Sequence, residues 1–341
     1  MLRFITRRLL LGLLVLVGVS LITFFIARVI PADPAARWVG AHATAEQIAA
    51  AKIELGLDQP IYVQYVTYMK GLVTGDWGKS IRTHQPILGE LLTFLPSSLE
   101  LIFAGMLIAI IVGIPLGIIS AVKKESWIDH VSRGFSIGGV SIPTFWFALI
   151  LQFVFFKTLG WLPLGERVST DVALLYPIDE RTGSYLLDSL LQGNWEFFID
   201  AMLHLILPSL AMAAYPIGLV TRMIRSSMVE VLGEEYMRVL QAYGVSRPKR
   251  FFLYALKNAL SPTVTSLGLT FAYALTSTFL IEAVFSWPGL GMYASQAILS
   301  SDYPAVMGIT LLVTISYIVV NLIVDIVLVL LDPRIKLGET A

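Results

Sequence analysis

The sequence predicts an all-α, polytopic membrane protein with six transmembrane helices. Of its 341 residues 56% are hydrophobic and 14% charged, and mean hydropathy is +0.77. Several apolar runs reach the roughly 20 residues that a helix needs to cross a bilayer. There are no cysteines, which excludes disulfides, thiolate metal sites and a cysteine nucleophile, and the formal net charge of zero implies no nucleic-acid surface.

Six spans can be placed at 9–30, 99–121, 135–157, 202–221, 260–283 and 304–331. The first follows Arg3, Arg7 and Arg8; its apolar run is longer than a signal peptide's, and Pro31 and Pro34 follow it instead of a small-residue cleavage site. It reads as a retained span. The chain then divides into a first transmembrane helix at 1–30, an outer segment with short helices at 31–98, a five-helix core at 99–331 and a tail at 332–341. In the outer segment, 44–57 has Thr44 as N-cap, Glu46 and Gln47 in its first turn and Gly56 as a stop, which predicts a surface helix. A second helix is expected over 62–72, ending at Gly71 or Gly75, whereas 158–201, rich in Gly, Pro and acids, gives no clear assignment.

Orientation follows from the basic residues of the short loops. Arg3, Arg7 and Arg8, Lys123, Lys124 and Arg133, and Arg334 and Lys336 fall on one side of the six spans, while 284–303 holds no Lys or Arg. Both termini are therefore expected in the cytoplasm, and 31–98 and 158–201 outside.

The cytoplasmic loop 222–257 is the most patterned stretch. It carries seven basic residues (Arg222, Arg225, Arg238, Arg247, Lys249, Arg250 and Lys257) against Glu230, Glu234 and Glu235. Residues 223–242 read as one amphipathic helix, with Val229, Leu232, Tyr236, Val239 and Leu240 near helical spacing. Gly244 breaks it, since glycine reaches a left-handed conformation without steric cost. Ser246 and Pro248 then start a new helix bearing Phe251, Phe252, Tyr254 and Leu256. The expected product is a helix, sharp turn, helix elbow. By pattern alone it suits a partner's groove or a surface of anionic lipid headgroups about equally well.

Enzymatic motifs are missing. The run 71–80 ends in Gly78, Lys79 and Ser80 like a phosphate-binding loop, but Val73 stands where that loop needs glycine. His42, His84, His130 and His204 share no ligand spacing.

Glu235, Ala242 and Gly244, followed by Leu260 and Pro262, resemble the EAA loop of ABC import permeases. Further matches run along the chain: Ile30-Pro31-Ala32-Asp33-Pro34, Leu55-Gly56-Leu57-Asp58-Gln59-Pro60, Gly75-Asp76-Trp77-Gly78, Gly113-Ile114-Pro115-Leu116-Gly117, Ser141-Ile142-Pro143, and His204-Leu205-Ile206-Leu207-Pro208. The last third adds Glu282-Ala283-Val284-Phe285-Ser286-Trp287-Pro288-Gly289-Leu290-Gly291 and Asp332-Pro333-Arg334. In order and on consistent sides, these resemble the B-type permease subunit of the dipeptide, oligopeptide and nickel ABC importers. The loop departs from that family at Leu240, Gln241 and Tyr254, on surfaces expected to touch an ATPase.

The resemblance implies a type I ABC importer permease fold in a bacterial inner membrane. It implies a homologous C-type permease, two ABC ATPases and an extracytoplasmic solute-binding protein as partners, with membrane lipid around them. ATP and magnesium would lie on the ATPases, this chain binding no cofactor and having no enzymatic activity of its own. The coupling loop 222–262 would dock through Glu234, Glu235, Tyr236, Arg238, Ala242, Gly244, Ser246 and Arg250, and Glu282, Trp287 and Pro288 would form part of the path or its outer gate. The cargo would be di- or oligopeptides, with nickel chelates, glutathione or oligosaccharides as alternatives on the same machinery. An ion-coupled secondary transporter is the other class, but inverted repeats are not evident and the elbow would have no use in it.

Polar groups in the spans divide between path and packing. Asp325 suits a partner on a neighbouring helix better than the path, Glu282 suits either role, and His204 suits an interfacial hydrogen bond. Glu100 is expected at the positive end of a helix dipole. Gly113, Gly117, Gly138, Gly139, Gly268 and Ala272 suit close helix contact.

Overall fold

The computed structural model describes residues 2–29, 34–40 and 42–331. The expected motif residues 30–33, Asp332-Pro333-Arg334 and the tail 332–341 lie outside the described residues. Within them the chain is helical, with a single isolated bridge between Lys79 and Pro86 in place of any strand.

The first helix, α1 (Leu2–Val29), is followed by three short ones: α2 (Pro34–Val39), α3 (Ala45–Glu54) and α4 (Ile61–Thr74). Thr44 and Gln47 make a reciprocal capping box on α3, the hydroxyl accepting from Gln47 N at 3.3 Å and the amide oxygen from Thr44 N at 2.8 Å. Gly75, at φ +86°, ends α4 in the left-handed conformation.

Then come α5 (Ile87–Val122), α6 (Trp127–Ser141) and α7 (Thr144–Leu151), the last continuing as a π-helical segment, Gln152–Thr158. Segment 158–201, unassigned by pattern, contains α8 (Thr170–Leu175), α9 (Tyr185–Gln192) and the start of α10 (Trp195–Gly233). The remainder is α11 (Glu235–Ala242), a π-helical segment Lys249–Ala255, α12 (Leu256–Ser277), α13 (Phe279–Val284), α14 (Leu290–Leu299) and α15 (Tyr303–Leu331).

Among the described residues four helices, α1, α5, α10 and α15, are long and apolar enough to cross a membrane, and α6 with α7 and its π-helical extension makes a fifth if the bent pair counts as one span. The span expected at 135–157 is thus corrected: it breaks by 105° at Ile142 and Pro143, because proline removes a backbone donor and turns its neighbour away from the helical conformation. The helix expected from 99 begins at Ile87. The span expected at 202–221 runs on to Gly233, so 223–242 is no single helix; the chain leaves helical geometry at Glu234 (ψ 149°). Helix α12 has the length to span but is less apolar than the four, carrying a series of serines and threonines.

The centre of the bundle is the pair α5 and α10, and small residues set their separation. A Cβ on Gly105 would stand 2.8 Å from Met212, on Gly113 2.9 Å from Val220, and on Gly117 2.7 Å from Ile224. These glycines recur at four- and eight-residue intervals, one face of a helix, and let the backbones approach closely. Helix α6 crosses α10 the same way, a Cβ on Gly139 falling 2.8 Å from Ala214 O. Outward from α10 lie α12, α15 and finally α1. The buried core joins Leu101, Ile102, Leu207 and Ala211 to Trp287 of the turn between α13 and α14.

Candidate functional site

The elbow forms because three local signals agree. After α11, Gly244 takes φ +70° and the chain reverses, with Gly244 N donating to Gln241 O (3.0 Å) and Val245 N to Leu240 O (3.0 Å). Ser246 O accepts from Arg250 N at 3.0 Å, Pro248 occupies the first turn, and the π-helical segment 249–255 leads without interruption into α12. The elbow therefore has α10 entering it and α12 leaving it.

Its inner face is anchored. Met237 is buried with Ile118 of α5, Val220, Ile224 and Met228 of α10, and Ala255 and Ala259 on the outgoing side. Two side-chain bonds tie its arms: Arg250 Nη1 donates to Gln241 Oε1 at 2.7 Å, and Asn258 Nδ2 to the Tyr236 hydroxyl at 2.8 Å. Its outer face is free in this chain, with Val239, Phe252 and Leu253 exposed and Tyr243 83% exposed. Of the residues singled out in sequence, Glu234, Glu235, Arg238, Ala242, Gly244 and Ser246 lie on this exposed surface, and Tyr236 and Arg250 are half-buried. One of the family departures, Leu240, needs correction. Leu240 packs inward against the Met237 cluster, and Gln241, though exposed, holds Arg250, so both help set the shape of the elbow.

Above the elbow sits an ion pair that the sequence pattern did not reveal. Asp129, fully buried, accepts from Arg225 Nε at 2.6 Å and Nη2 at 2.8 Å, from the Ser120 hydroxyl at 2.5 Å and from Glu125 N at 3.0 Å. One carboxylate thus joins the end of α5, the start of α6 and the stretch of α10 that leads into the elbow. The signal available was a lone acid beside a basic loop, and nothing in its spacing named Arg225, 96 residues away.

At the opposite end of the bundle, the turn between α13 and α14 is sewn to α5. Glu282, buried, accepts from the Ser98 hydroxyl (2.6 Å) and from Met292 N (2.8 Å), so it caps the start of α14. Ser98 Oγ in turn accepts from Leu290 N at 2.8 Å. The Trp287 indole donates to Ser97 O at 2.9 Å, and the Ser97 hydroxyl donates to Pro288 O. Glu282 and Trp287 thus point into the subunit, and only Pro288 of that trio is exposed. The adjacent Ser97 and Ser98 in an apolar run were the sequence signal for this contact.

Nearby, Glu100 lies well inside α5, which corrects its expected place at a helix start. Its carboxylate is held by Arg167 Nη2 (2.5 Å), by the Ser184 hydroxyl (2.8 Å) and by Leu186 N (2.9 Å) at the start of α9. Arg167 also stacks on Tyr185, 3.7 Å from its ring centre. His204 Nδ1 lies 2.6 Å from Gly165 O. Asp325 pairs with Arg8 of α1, Nε to Oδ2 at 2.9 Å. Ser80, at the end of the phosphate-loop look-alike, donates to Asp302 at 2.5 Å and is buried. Among the described residues, no group of three or more His, Asp or Glu is arranged to hold a metal.

Comparison with known proteins agrees with this architecture. Residues 113–337 match the model of the binding-protein-dependent transport system inner membrane component, and residues 1–104 match that of the N-terminal part of such membrane components. The chain is 45% identical over 325 residues to a probable D,D-dipeptide transport system permease protein of Escherichia coli (strain K12), covering 95% of both. It is 41% identical over 337 residues to the dipeptide transport system permease protein of Alkalihalophilus pseudofirmus, covering 98% of this chain and 100% of that one. A glutathione transport system permease protein of Escherichia coli O1:K1 / APEC is 34% identical over 336 residues, covering 98% and 99%. With both family models matched in chain order and the relatives covered end to end, the chain belongs to the family of binding-protein-dependent transport system inner membrane components.

Proposed function

We propose that this chain is the B-type permease subunit of an ATP-driven peptide importer, passing di- or oligopeptides from a solute-binding protein across the inner membrane by alternating access. The observation that carries the reading is the elbow: an exposed apolar and cationic outer face on a unit whose inner face is packed against α5 and α10 and whose outgoing arm is α12. An ATPase seated on Val239, Tyr243, Phe252 and Leu253, flanked by Arg238 and Arg247, would move two helices of the bundle with it. Glu234, Glu235, Ala242, Gly244 and Ser246 complete that surface, and Tyr236 and Arg250 brace it from within.

The basic end of the bundle would face the cytoplasm, with six spans in all, α12 among them and α6/α7 as the bent one. A homologous C-type permease would complete the path, and ATP and magnesium would be bound by two partner ATPases. Rocking of rigid helices then switches access from one side to the other. Glu282, Trp287 and Pro288 act in this scheme as the fastening of the outer turn, keeping α13 and α14 in step with α5.

Peptide cargo rests on the relatives named for dipeptides; the glutathione relative is itself named for a small peptide. The test is import by the complete complex in vesicles, supplied with ATP and a panel of dipeptides, glutathione, nickel chelates and oligosaccharides. Peptide uptake that stops without ATP is expected; uptake of a non-peptide class alone would replace the cargo.

A further inference from the structure

Between α10, α12 and the break before α7 lies a cavity of about 610 Å³, open on one side. That is the size range of small-ligand sites. Among the described residues, no Asp, Glu, Lys, Arg or His lines it. Its wall carries instead six hydroxyl side chains: Thr144, Tyr215, Ser266, Thr270, Tyr273 and Ser277.

On α12 the four fall at 266, 270, 273 and 277, a spacing that aligns them on one face. A face of this kind lowers the helix's apolarity below that of its neighbours, which would be costly to turn toward lipid. Thr270 answers part of that cost by donating to Ser266 O at 2.8 Å, but its oxygen keeps acceptor capacity. Opposite, Pro216 of α10 lines the same cavity and, lacking an N–H, leaves the carbonyl of Met212 without its helical donor. The wall thus offers donors and acceptors, without a charge, in a trough that lies between the elbow and the outer turn. Both helices that form it, α10 and α12, are the ones joined to the elbow.

We propose that this trough is the surface along which a short peptide crosses the subunit, its backbone amides pairing in passing with the hydroxyls of Thr144, Tyr215, Ser266, Thr270, Tyr273 and Ser277. This rests on the peptide-importer reading above and adds the residues that meet the cargo. Hydroxyls both donate and accept, so they match the N–H and C=O of any peptide bond. A wall without charge neither selects on cargo side-chain charge nor holds an ion too tightly to release it, the condition for a conducting path. Movement of the elbow changes the trough's width directly, because α12 continues from it without a break.

The test uses the complete complex in vesicles. The chain has no cysteine, so Tyr273→Cys and Ser277→Cys place single thiols in the trough, and Leu14→Cys on the exposed face of α1 serves as the lipid-facing control. A charged, membrane-impermeant thiosulfonate should label positions 273 and 277 during ATP turnover, be slowed by saturating dialanine, and leave position 14 unlabelled. Independently, Ser266→Asp should slow import of Asp-Ala relative to Lys-Ala by about tenfold, through like-charge repulsion in a narrow path. Labelling of position 14 but not of 273 or 277, or Ser266→Asp that slows both peptides equally, overturns the trough, since lipid or the partner permease would then cover it. If the unmodified complex imports another solute class and no peptide while 273 and 277 still label, the cargo reading falls and the aqueous trough stands.

Discussion

Asp129 and Arg225 are joined by two hydrogen bonds, at 2.6 and 2.8 Å, between the first turn of α6 and the stretch of α10 that feeds the elbow. The carboxylate is fully buried, whereas the guanidinium keeps 21% of its side-chain surface exposed. Breaking a buried pair by removing one partner costs about 3–5 kcal/mol. Arg225→Met should sit at the top of that range, because it strands a buried anion with only Ser120, Glu125 N and the more distant Arg133 (3.6 Å) for company. Asp129→Ala should cost less, since Arg225 can extend toward water. Thermal melting of both single variants and the double variant, purified in detergent, checks the order; equal losses would contradict it.

Gly117 has no room for a side chain. A Cβ there would meet Ile224 at 2.7 Å and Thr221 O at 2.9 Å, and the second of these is backbone that cannot swing aside. Gly117→Ala should destabilise by about 1–3 kcal/mol through overpacking. Gly138→Ala, with nothing within 4 Å, is the paired control and should melt at least as high as the wild type. Melting temperature and folded yield report both.

Gly244 poses a purely conformational demand, since its surroundings are open and its φ is +70°. A non-glycine residue in that conformation costs about 1–2 kcal/mol. Gly244→Val should insert normally yet lose most ATP-dependent uptake, and Gly244→Asn should retain more, because Asn tolerates the left-handed region. Uptake normalised to membrane-inserted protein separates the two effects, and full transport by the valine variant would sink the coupling assignment.

Tyr243 is the better probe of docking than Tyr236, whose hydroxyl is engaged with Asn258. A cysteine at 243, on the 83%-exposed tip of the elbow, should crosslink to the ATPase in the assembled complex. A cysteine at Leu203, near the end of α10 farthest from the elbow, should not. With each cysteine carrying a benzophenone maleimide, gel analysis after illumination gives the answer, and equal crosslinking at the two positions would remove the elbow as the docking site.

Glu282 caps α14 and binds Ser98 at once, so Glu282→Ala loses both and should cost about 1–3 kcal/mol, the range for stranding buried donors. Glu282→Gln keeps one carbonyl acceptor and should lose less. Differential protease accessibility at the 285–289 turn, compared with global melting, distinguishes a local fastening from a general collapse.

Much of this protein was written locally. Hydropathy located the four long apolar helices, α1, α5, α10 and α15, because backbone polar groups in a bilayer must be satisfied within the helix itself. Thr44 with Gln47, Gly75 and Gly244 marked helix ends correctly because caps and left-handed turns depend on a few adjacent residues. The order of the motifs along the chain carried the family. What only the tertiary structure decided were the long-range pairings: Asp129 with Arg225, Glu100 with Arg167, Glu282 with Ser98 and Arg8 with Asp325. Each joins residues from 67 to 317 positions apart, and a charge or a serine in a sequence looks the same whether its partner is water or another helix. The seating of α6 on α10 was likewise decided by packing, through close backbone contact at Gly139 and Gly218 that no periodicity encodes. The hydroxyl-lined trough arises the same way. Its residues are scattered from 144 to 277 and become one surface only when α7, α10 and α12 meet.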